Sequence, residues 1–132
     1  MDLLKRLEVE RRLYIEKYNR TPNVIFVSHS LYSDLDFLTG GLSLYNAAPT
    51  HFWGADVIMV STPNYTKFAE HNDVKKAIDI FQKDKSLETC KVRKTKTIIG
   101  SVGNGIHNPS KMIDLEPVEF SKEEIEIYLM QS

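Results

Sequence analysis

Cysteine and long apolar runs are scarce in this sequence. The 132 residues include one cysteine, Cys90, so the chain has no internal disulfide and no set of thiolates for structural zinc. No run of about 18 apolar residues occurs, and the charged start MDLLKRLEVERR lacks the apolar core of a signal peptide. These absences predict a cytoplasmic protein without a membrane span.

An excess of charge of one sign is lacking as well. Seventeen basic residues stand against eighteen acidic ones, which gives a formal net charge of -1. No global field therefore attracts the chain to nucleic acid or to an anionic membrane, and any such affinity needs a local patch. The composition, 42% hydrophobic and 27% charged, is that of a globular protein. At this length we expect residues 1–132 to form a single α+β domain.

Apolar residues at helical spacing predict four helices. The first begins at an N-cap on Asp2, and the last follows a capping box formed by Ser121 and Glu124. The third has Asn72 or Asp73 as its predicted N-cap. The apolar positions behind the first three predictions are Leu3, Leu7, Tyr14 and Tyr18, then Leu31, Leu35 and Leu38, then Val74, Ala77, Ile78 and Phe81.

Four strands are predicted between these helices. The run NVIFV, residues 23–27, is continuously apolar and indicates a central strand covered on both faces. FWGADVIMVS, residues 52–61, is a second strand in which Gly54 permits a bulge or a close backbone approach. A third strand covers residues 89–102, and a short edge-like strand, residues 115–120, is interrupted by Pro117. The predicted fold is α+β, with about four helices around a small mixed sheet of about four strands.

The segment Ser28-His29-Ser30 has two interpretations. It is either a serine nucleophile beside its base or the cap of the following helix. A serine hydrolase elbow usually has glycines around the serine, and none is present here. Neighbouring residues of an extended segment also point to opposite faces, so His29 is poorly placed to serve either serine. The sequence therefore favours helix capping.

The glycine-rich segment GSVGNG, residues 100–105, begins the loop that is richest in groups able to bind a ligand. It lacks the GK[ST] of a phosphate-binding loop and a full GxGxxG, which favours a simple turn. Its backbone amides are alternatively suited to an anion-binding nest, with His107 as an acid or base. The residues of this ligand-binding or enzymatic alternative are Gly103, Asn104, Gly105, His107 and Asn108.

One strand carries the only concentrated positive charge, at Lys91, Arg93, Lys94 and Lys96. On a strand, the first two lie on one face and the last two on the other, which divides the patch. Lysines on an edge strand also protect it from unwanted pairing. Nucleic-acid binding is the alternative, with Tyr32, Tyr45 and Trp53 as stacking groups. The four histidines lack the spacing of a metal site, so neither a metal nor a cofactor is predicted.

The order of TPNVIFVS, LYSDL and FWGADVIMVS is similar to a segment of HK97-type major capsid proteins. In that family a strand ends in a polar turn that leads into a helix, and a later strand of the form G-x-x-V-x-V-S returns beside the first. The similarity covers about residues 12–61 and carries no binding residue. It implies a phage or prophage origin, a location in the host cytoplasm, and a role through protein contacts.

The leading functional hypothesis is therefore a non-enzymatic, phage-related interaction protein. Its contact surface is predicted to include the loop of residues 40–51, with Leu44, Tyr45 and Trp53, because aromatic side chains bury much area with few torsions. The partner is a virion component or a host protein that the phage inhibits. A homodimer is compatible with the charged first helix and the short strands.

Overall fold

Helices and strands alternate along the chain in a computed structural model that describes residues 3–31, 51–98 and 111–131. The elements are α1 (Leu3–Tyr18), β1 (Val24–Ser28), β2 (His51–Phe52), β3 (Ala55–Val60), β4 (Thr66–Ala69), α2 (His71–Lys83), β5 (Thr89–Ile98), β6 (Lys111–Ser121) and α3 (Lys122–Gln131). Helical backbone also begins at His29 and continues to the end of that described range. The predicted α+β class is confirmed.

Strand β1 is the centre of a four-stranded mixed sheet with the order β2-β3-β1-β4. It pairs in parallel with β3, where Val24 lies opposite Asp56, and antiparallel with β4, where Val24 lies opposite Ala69. All five residues of β1 are buried. An uninterrupted apolar run is what a strand covered on both faces requires, so the predicted central strand is confirmed.

Strands β5 and β6 form a separate antiparallel sheet. The predicted single sheet of about four strands is therefore replaced by two sheets. The register between β5 and β6 shifts between Val92 and Lys94. At this point Glu116 and Pro117 of β6 lie opposite the single residue Arg93 of β5. This is a β-bulge, and it accommodates a proline that lacks an amide hydrogen. Because the bulge absorbs Pro117, β6 is longer than the strand predicted at residues 115–120.

Helix α1 packs its predicted apolar stripe against the sheet. Leu3, Leu7, Tyr14 and Tyr18 are its buried residues, as the helical spacing indicated. Asn19 follows with φ of 54°, the left-handed conformation that often ends helices. The phenol of Tyr18 also donates a hydrogen bond to the Glu116 carbonyl, 3.0 Å away, which ties the end of α1 to the bulge of β6.

The strand predicted at residues 52–61 is observed as β3, Ala55–Val60, but the residues before it turn back to form a hairpin. Strands β2 and β3 pair antiparallel, with Phe52 opposite Ala55. The two residues between them, Trp53 and Gly54, have φ of 52° and 74°. Positive φ at both central residues is the requirement of a two-residue type I′ turn. Gly54 therefore forms a reversal of the chain rather than the predicted bulge.

The segment after β3 contains a strand that the sequence pattern did not predict. Strand β4 has four residues, TKFA, and pairs with β1 across its whole length. A strand this short gives little periodic signal, and the adjoining STPNYT indicated a loop. Within β4 Lys67 extends its ammonium over the Phe120 ring, 4.3 Å from the ring centroid, and forms a 3.1 Å ion pair with Glu124.

Two helix starts show how local and distant caps differ. Helix α3 begins with the predicted capping box, in which the Ser121 hydroxyl accepts from the Glu124 amide at 3.1 Å and Glu124 Oε1 accepts from the Ser121 amide at 3.3 Å. Helix α2 begins at His71, before the predicted caps at Asn72 or Asp73. Its first amide donates to the side-chain oxygen of Asn23 at 2.8 Å. A cap from such a distant residue leaves no local sequence signal.

Candidate functional site

The β2–β3 hairpin places Trp53 beside the solvent-facing side of α1. The indole is 38% exposed, and the Arg11 guanidinium carbon lies 5.8 Å from its ring centroid. A groove of about 450 Å³ separates the turn from the helix, and its lining residues are Glu8, Arg11, Arg12, Ile15, Glu16 and Trp53. The turn and the helix thus form one surface, which we call the Trp53 surface.

The backbone of Trp53 is unusual for a bulky residue. A positive φ is common in glycine and tolerated by asparagine, but it is an outlier for a large side chain. The type I′ turn prefers Asn-Gly or Asp-Gly at these two positions. The side chain is therefore held in a conformation that its own residue type disfavours, and it is presented toward solvent beside mixed charges of α1.

A second groove lies on the other side of α1. It has a volume of about 590 Å³, and Leu13, Tyr14, Phe68, Pro117 and Val118 give it an apolar wall. Charged side chains from α1, β4, β5 and β6 surround that wall. Lys17 and Glu116 form an ion pair across this groove. Helix α1 is thus bordered by concave surface on two sides; the Trp53 side includes the predicted protein-contact residue Trp53, and the other includes Lys91 of the predicted basic strand.

The basic strand does not present its four cations on one surface. Lys91 and Arg93 are exposed, whereas Lys94 is buried and Lys96 is half-buried. Arg93 forms an ion pair with Asp114 across the β5–β6 sheet, with 2.7 Å between Nε and Oδ1. The predicted alternation of faces is observed, and its consequence is that Lys94 points into the protein.

Lys94 is the centre of a buried ionic cluster. Its ammonium lies 2.7 Å from Glu70 Oε2 and 2.8 Å from Asp73 Oδ2, and the three side chains are 8%, 7% and 4% exposed. Glu70 also accepts hydrogen bonds from the Tyr14 hydroxyl at 2.8 Å and from Arg20 Nε at 2.6 Å. The cluster joins α1, the start of α2 and β5, with every charge matched by an opposite one.

The cluster shifts the pKa values of its members in opposite directions. Burial favours the neutral form of Glu70, but hydrogen bonds from Lys94, Arg20 and Tyr14 outweigh it and hold the pKa of Glu70 below its usual value. Burial likewise favours neutral Lys94, while hydrogen bonds to Asp73 and Glu70 prevail and raise the pKa of Lys94. Burial, then the hydrogen bond to Glu70, raises the pKa of the Tyr14 phenol. Both ionic partners therefore stay charged near neutral pH.

Ser28, His29 and Ser30 do not form a nucleophile and its base. The Ser28 hydroxyl lies 3.0 Å from the Ser30 hydroxyl, with which it shares a hydrogen bond. Ser28 is fully buried at the end of β1, whereas His29 is exposed. Because helical backbone begins at His29, Ser28 occupies the N-cap position. A capping hydrogen bond from a backbone amide stays a prediction.

An acid–imidazole–hydroxyl arrangement that no sequence pattern predicted occurs elsewhere in the protein. His71 Nε2 lies 2.7 Å from Asp56 Oδ2, and His71 Nδ1 lies 2.7 Å from the Tyr128 hydroxyl. The three residues come from β3, α2 and α3, so no local spacing reveals them. Burial, then the charge of Asp56, raises the pKa of the Tyr128 phenol. A raised pKa disfavours a phenolate nucleophile. The arrangement is better suited to holding three elements together.

Several predicted site residues lie outside the described residues. They are Leu44, Tyr45 and Tyr32 of the interaction and stacking sets, and Gly103, Asn104, Gly105, His107 and Asn108 of the glycine-rich loop. Within the described ranges, no group of three or more His, Cys, Asp and Glu side chains is arranged to hold a metal ion. No helix of the described residues is long and apolar enough to cross a membrane.

Comparisons of the chain with protein-family models, curated proteins and solved structures found no match. Function is therefore inferred from the side chains of the chain itself. Trp53 was predicted from the sequence as a contact residue. Within the described ranges it also has an unusual backbone conformation and lies beside a groove.

Proposed function

We propose that this chain is a non-enzymatic, phage-related protein that acts through protein–protein contacts made by the Trp53 surface. The observation that carries the proposal is the left-handed, partly exposed Trp53 at the tip of the β2–β3 hairpin. A disfavoured backbone conformation costs on the order of 1–3 kcal/mol and is found most often at functional positions. Asn at this turn position would remove that cost. The tryptophan is therefore best explained by what its side chain contacts.

The neighbourhood of Trp53 suits a protein partner. Tryptophan and arginine are both enriched in binding hot spots, and here Arg11 lies against the indole. Glu8, Arg12 and Glu16 add charges of both signs around the groove. An apolar anchor with a mixed charged rim is the usual composition of a non-obligate protein interface. Leu44 and Tyr45, of the loop of residues 40–51, are further contacts predicted from the sequence, and both lie outside the described residues.

The partner that this proposal favours is a virion component or a host protein inhibited by the phage. Its support is the similarity to a segment of HK97-type capsid proteins, in which a later strand returns beside the first. Here β3 runs parallel to β1, in register from Val24 opposite Asp56 to Ser28 opposite Val60.

The test replaces Trp53 by asparagine. The tagged wild-type protein is used to capture partners from phage-infected or lysogenic cells, and retained proteins are identified by mass spectrometry. We expect Trp53→Asn to lose the partner, because it removes the indole and retains a turn-compatible residue. Met112→Asn is the control, since it removes an exposed apolar side chain from β6. Retention of the same partner by Trp53→Asn would contradict the proposal.

Two alternatives have less support. Nucleic-acid binding by the strand of Lys91, Arg93, Lys94 and Lys96 would use at most three of the four cations, because Lys94 is paired with two buried carboxylates. Steep weakening of DNA or RNA binding with added salt would favour it. A ligand or enzymatic role for the loop of residues 103–108 predicts that His107→Ala changes an activity or a ligand affinity.

A further inference from the structure

A polar pocket opens above the buried ionic cluster, away from the Trp53 surface. It has a volume of about 210 Å³ and lies between the end of α1, the first turns of α2, and β5. Its lining residues are Arg20, Glu70, Asn72, Asp73, Lys76, Arg93, Lys94 and Thr95. None of these side chains is apolar, so the pocket is not suited to a hydrophobic ligand.

The charge of the pocket is positive although the chain as a whole is slightly negative. Four cationic side chains and two carboxylates line it, which leaves an excess of two positive charges, against a net charge of -1 for the whole chain. The two carboxylates are neutralised by Lys94 and Arg20 together. The excess of two among the lining residues therefore lies with Lys76 and with Arg93, which also pairs with Asp114 outside the pocket lining.

The side chains of Arg20, Lys76 and Arg93 retain hydrogen-bond donors. Within the described residues, Arg20 engages Glu70 through Nε, and Arg93 engages Asp114 through Nε. The Nη groups of both guanidinium ions then remain for another acceptor. Lys76 takes no part in an ion pair with any described residue. Two guanidinium groups and an ammonium converging on one pocket match the oxygens of a phosphoryl group.

We infer that this pocket binds the terminal phosphoryl group of a small phosphorylated compound. A terminal phosphate carries more charge and more free oxygens than a backbone phosphodiester, which suits an excess of two positive charges in a concave site. Single-stranded nucleic acid instead follows an extended groove with aromatic stacking groups. No aromatic side chain is among the lining residues. The favoured ligand is thus a small phosphate compound rather than a polynucleotide.

The experiment titrates the full-length protein and follows backbone and arginine side-chain signals by NMR at constant ionic strength. Inorganic phosphate, pyrophosphate, a nucleoside monophosphate and a short single-stranded DNA without terminal phosphate are tested separately. We expect saturable changes around Arg20, Lys76 and Arg93 with at least one of the first three compounds. The compound that binds most tightly identifies the source of the phosphoryl group.

Lys76→Gln is the decisive variant because Lys76 supports no ion pair of the cluster. It should weaken phosphate affinity by roughly tenfold or more, as expected for loss of one charge-assisted hydrogen bond. Lys75→Gln is the matched control, since Lys75 is an exposed neighbour on α2 that does not line the pocket. Its affinity should stay within about twofold of the wild type.

Three results would overturn the inference. They are the absence of saturable changes with all three phosphate compounds, equal weakening by Lys75→Gln and Lys76→Gln, or binding of the DNA alone. The outcome is independent of the protein-contact proposal, because Trp53→Asn leaves this pocket unchanged. Failure of one proposal therefore says nothing against the other.

Discussion

At the scale of single residues, Lys94 has the largest structural role of the predicted basic residues. It neutralises Glu70 and Asp73 inside the protein, and its ammonium lies 5.0 Å from the centroid of the Tyr18 ring. Breaking a buried ion pair by removing one partner typically costs about 3–5 kcal/mol, because the other charge stays buried without compensation. Lys94 thus stabilises the fold, whatever the exposed basic residues of the same strand bind.

Replacing Lys94 by methionine tests this role. We expect Lys94→Met to lower the free energy of unfolding by about 3 kcal/mol at neutral pH, since Asp73 then loses its cationic partner. Lys96→Met, two residues along the same face and half-buried, should change it by less than about 0.5 kcal/mol. Urea unfolding followed by circular dichroism measures both values. Equal and small effects of the two substitutions would show that Lys94 is not buried in an ion cluster.

The sequence pattern predicted the strand that contains Lys94, but it did not predict that Lys94 is buried beside two carboxylates. The alternation of side chains along β5 predicted the face on which Lys94 lies. The carboxylates that pair with its ammonium belong to Glu70 and Asp73, at the start of α2. Burial of a lysine is rare unless it is paired, and that pairing depends on the packing of α2 against β5. The same limit applies to His71, whose partners Asp56 and Tyr128 are far away in sequence.

At the scale of elements, prediction succeeded where the signal is local and periodic. The stripe of α1, the buried run of β1 and the capping box of α3 each depend on residues within a few positions of one another. Prediction failed where a distant contact decides the conformation. The Asn23 cap of α2 belongs to this second group, whereas the hairpin was missed because Trp53 stands where a type I′ turn usually has Asn or Asp.

The β2–β3 hairpin gives a stability prediction at this scale. Because Asn-Gly is the preferred pair for a type I′ turn, we expect Trp53→Asn to keep the melting temperature within about 2 °C or to raise it. Trp53→Val should lower it, since a β-branched residue is strongly disfavoured at positive φ. Differential scanning calorimetry compares the two variants. A large loss of stability in Trp53→Asn would mean that the indole is held for packing on α1, and not for a partner.

At the scale of the whole molecule, the ionic cluster ties α1, α2 and β5 together and makes stability depend on pH. The usual pKa of Glu70 is 4.5 and its folded value is lower, so its contribution is complete above the usual value and is lost as the pH falls below it. The usual pKa of Lys94 is 10.5 and its folded value is higher, so its contribution is complete below that value and is lost as the pH rises through the folded pKa.

These two directions predict a plateau of stability between the usual pKa values of Glu70 and Lys94. Free energies of unfolding from urea titrations across the pH range should fall on both sides of that plateau. In Glu70→Gln the acid side should be flatter, because one carboxylate with a lowered pKa has been removed. An acid side of the same steepness in wild type and variant would show that other carboxylates produce the loss.

The organisation of the described residues agrees with the predicted α+β class, although these residues form two sheets where one was predicted. The number of sheets depends on which strand edges meet, and the order of strands in the chain does not determine this. The described residues also support a division of roles, with the ionic cluster stabilising the packing of helices on strands and the Trp53 surface facing outward. The assignment of residues 1–132 to a single domain stays a prediction.

The most direct test of the protein-contact proposal uses the fact that the chain contains one tryptophan. In ¹⁵N-labelled protein the Trp53 indole gives a single side-chain signal, and an unlabelled partner adds none. When the captured partner is added to saturation, we predict that this signal shifts or broadens and that its exchange with water slows. An indole signal that keeps its position, width and exchange rate in the saturated complex would contradict the proposed contact surface.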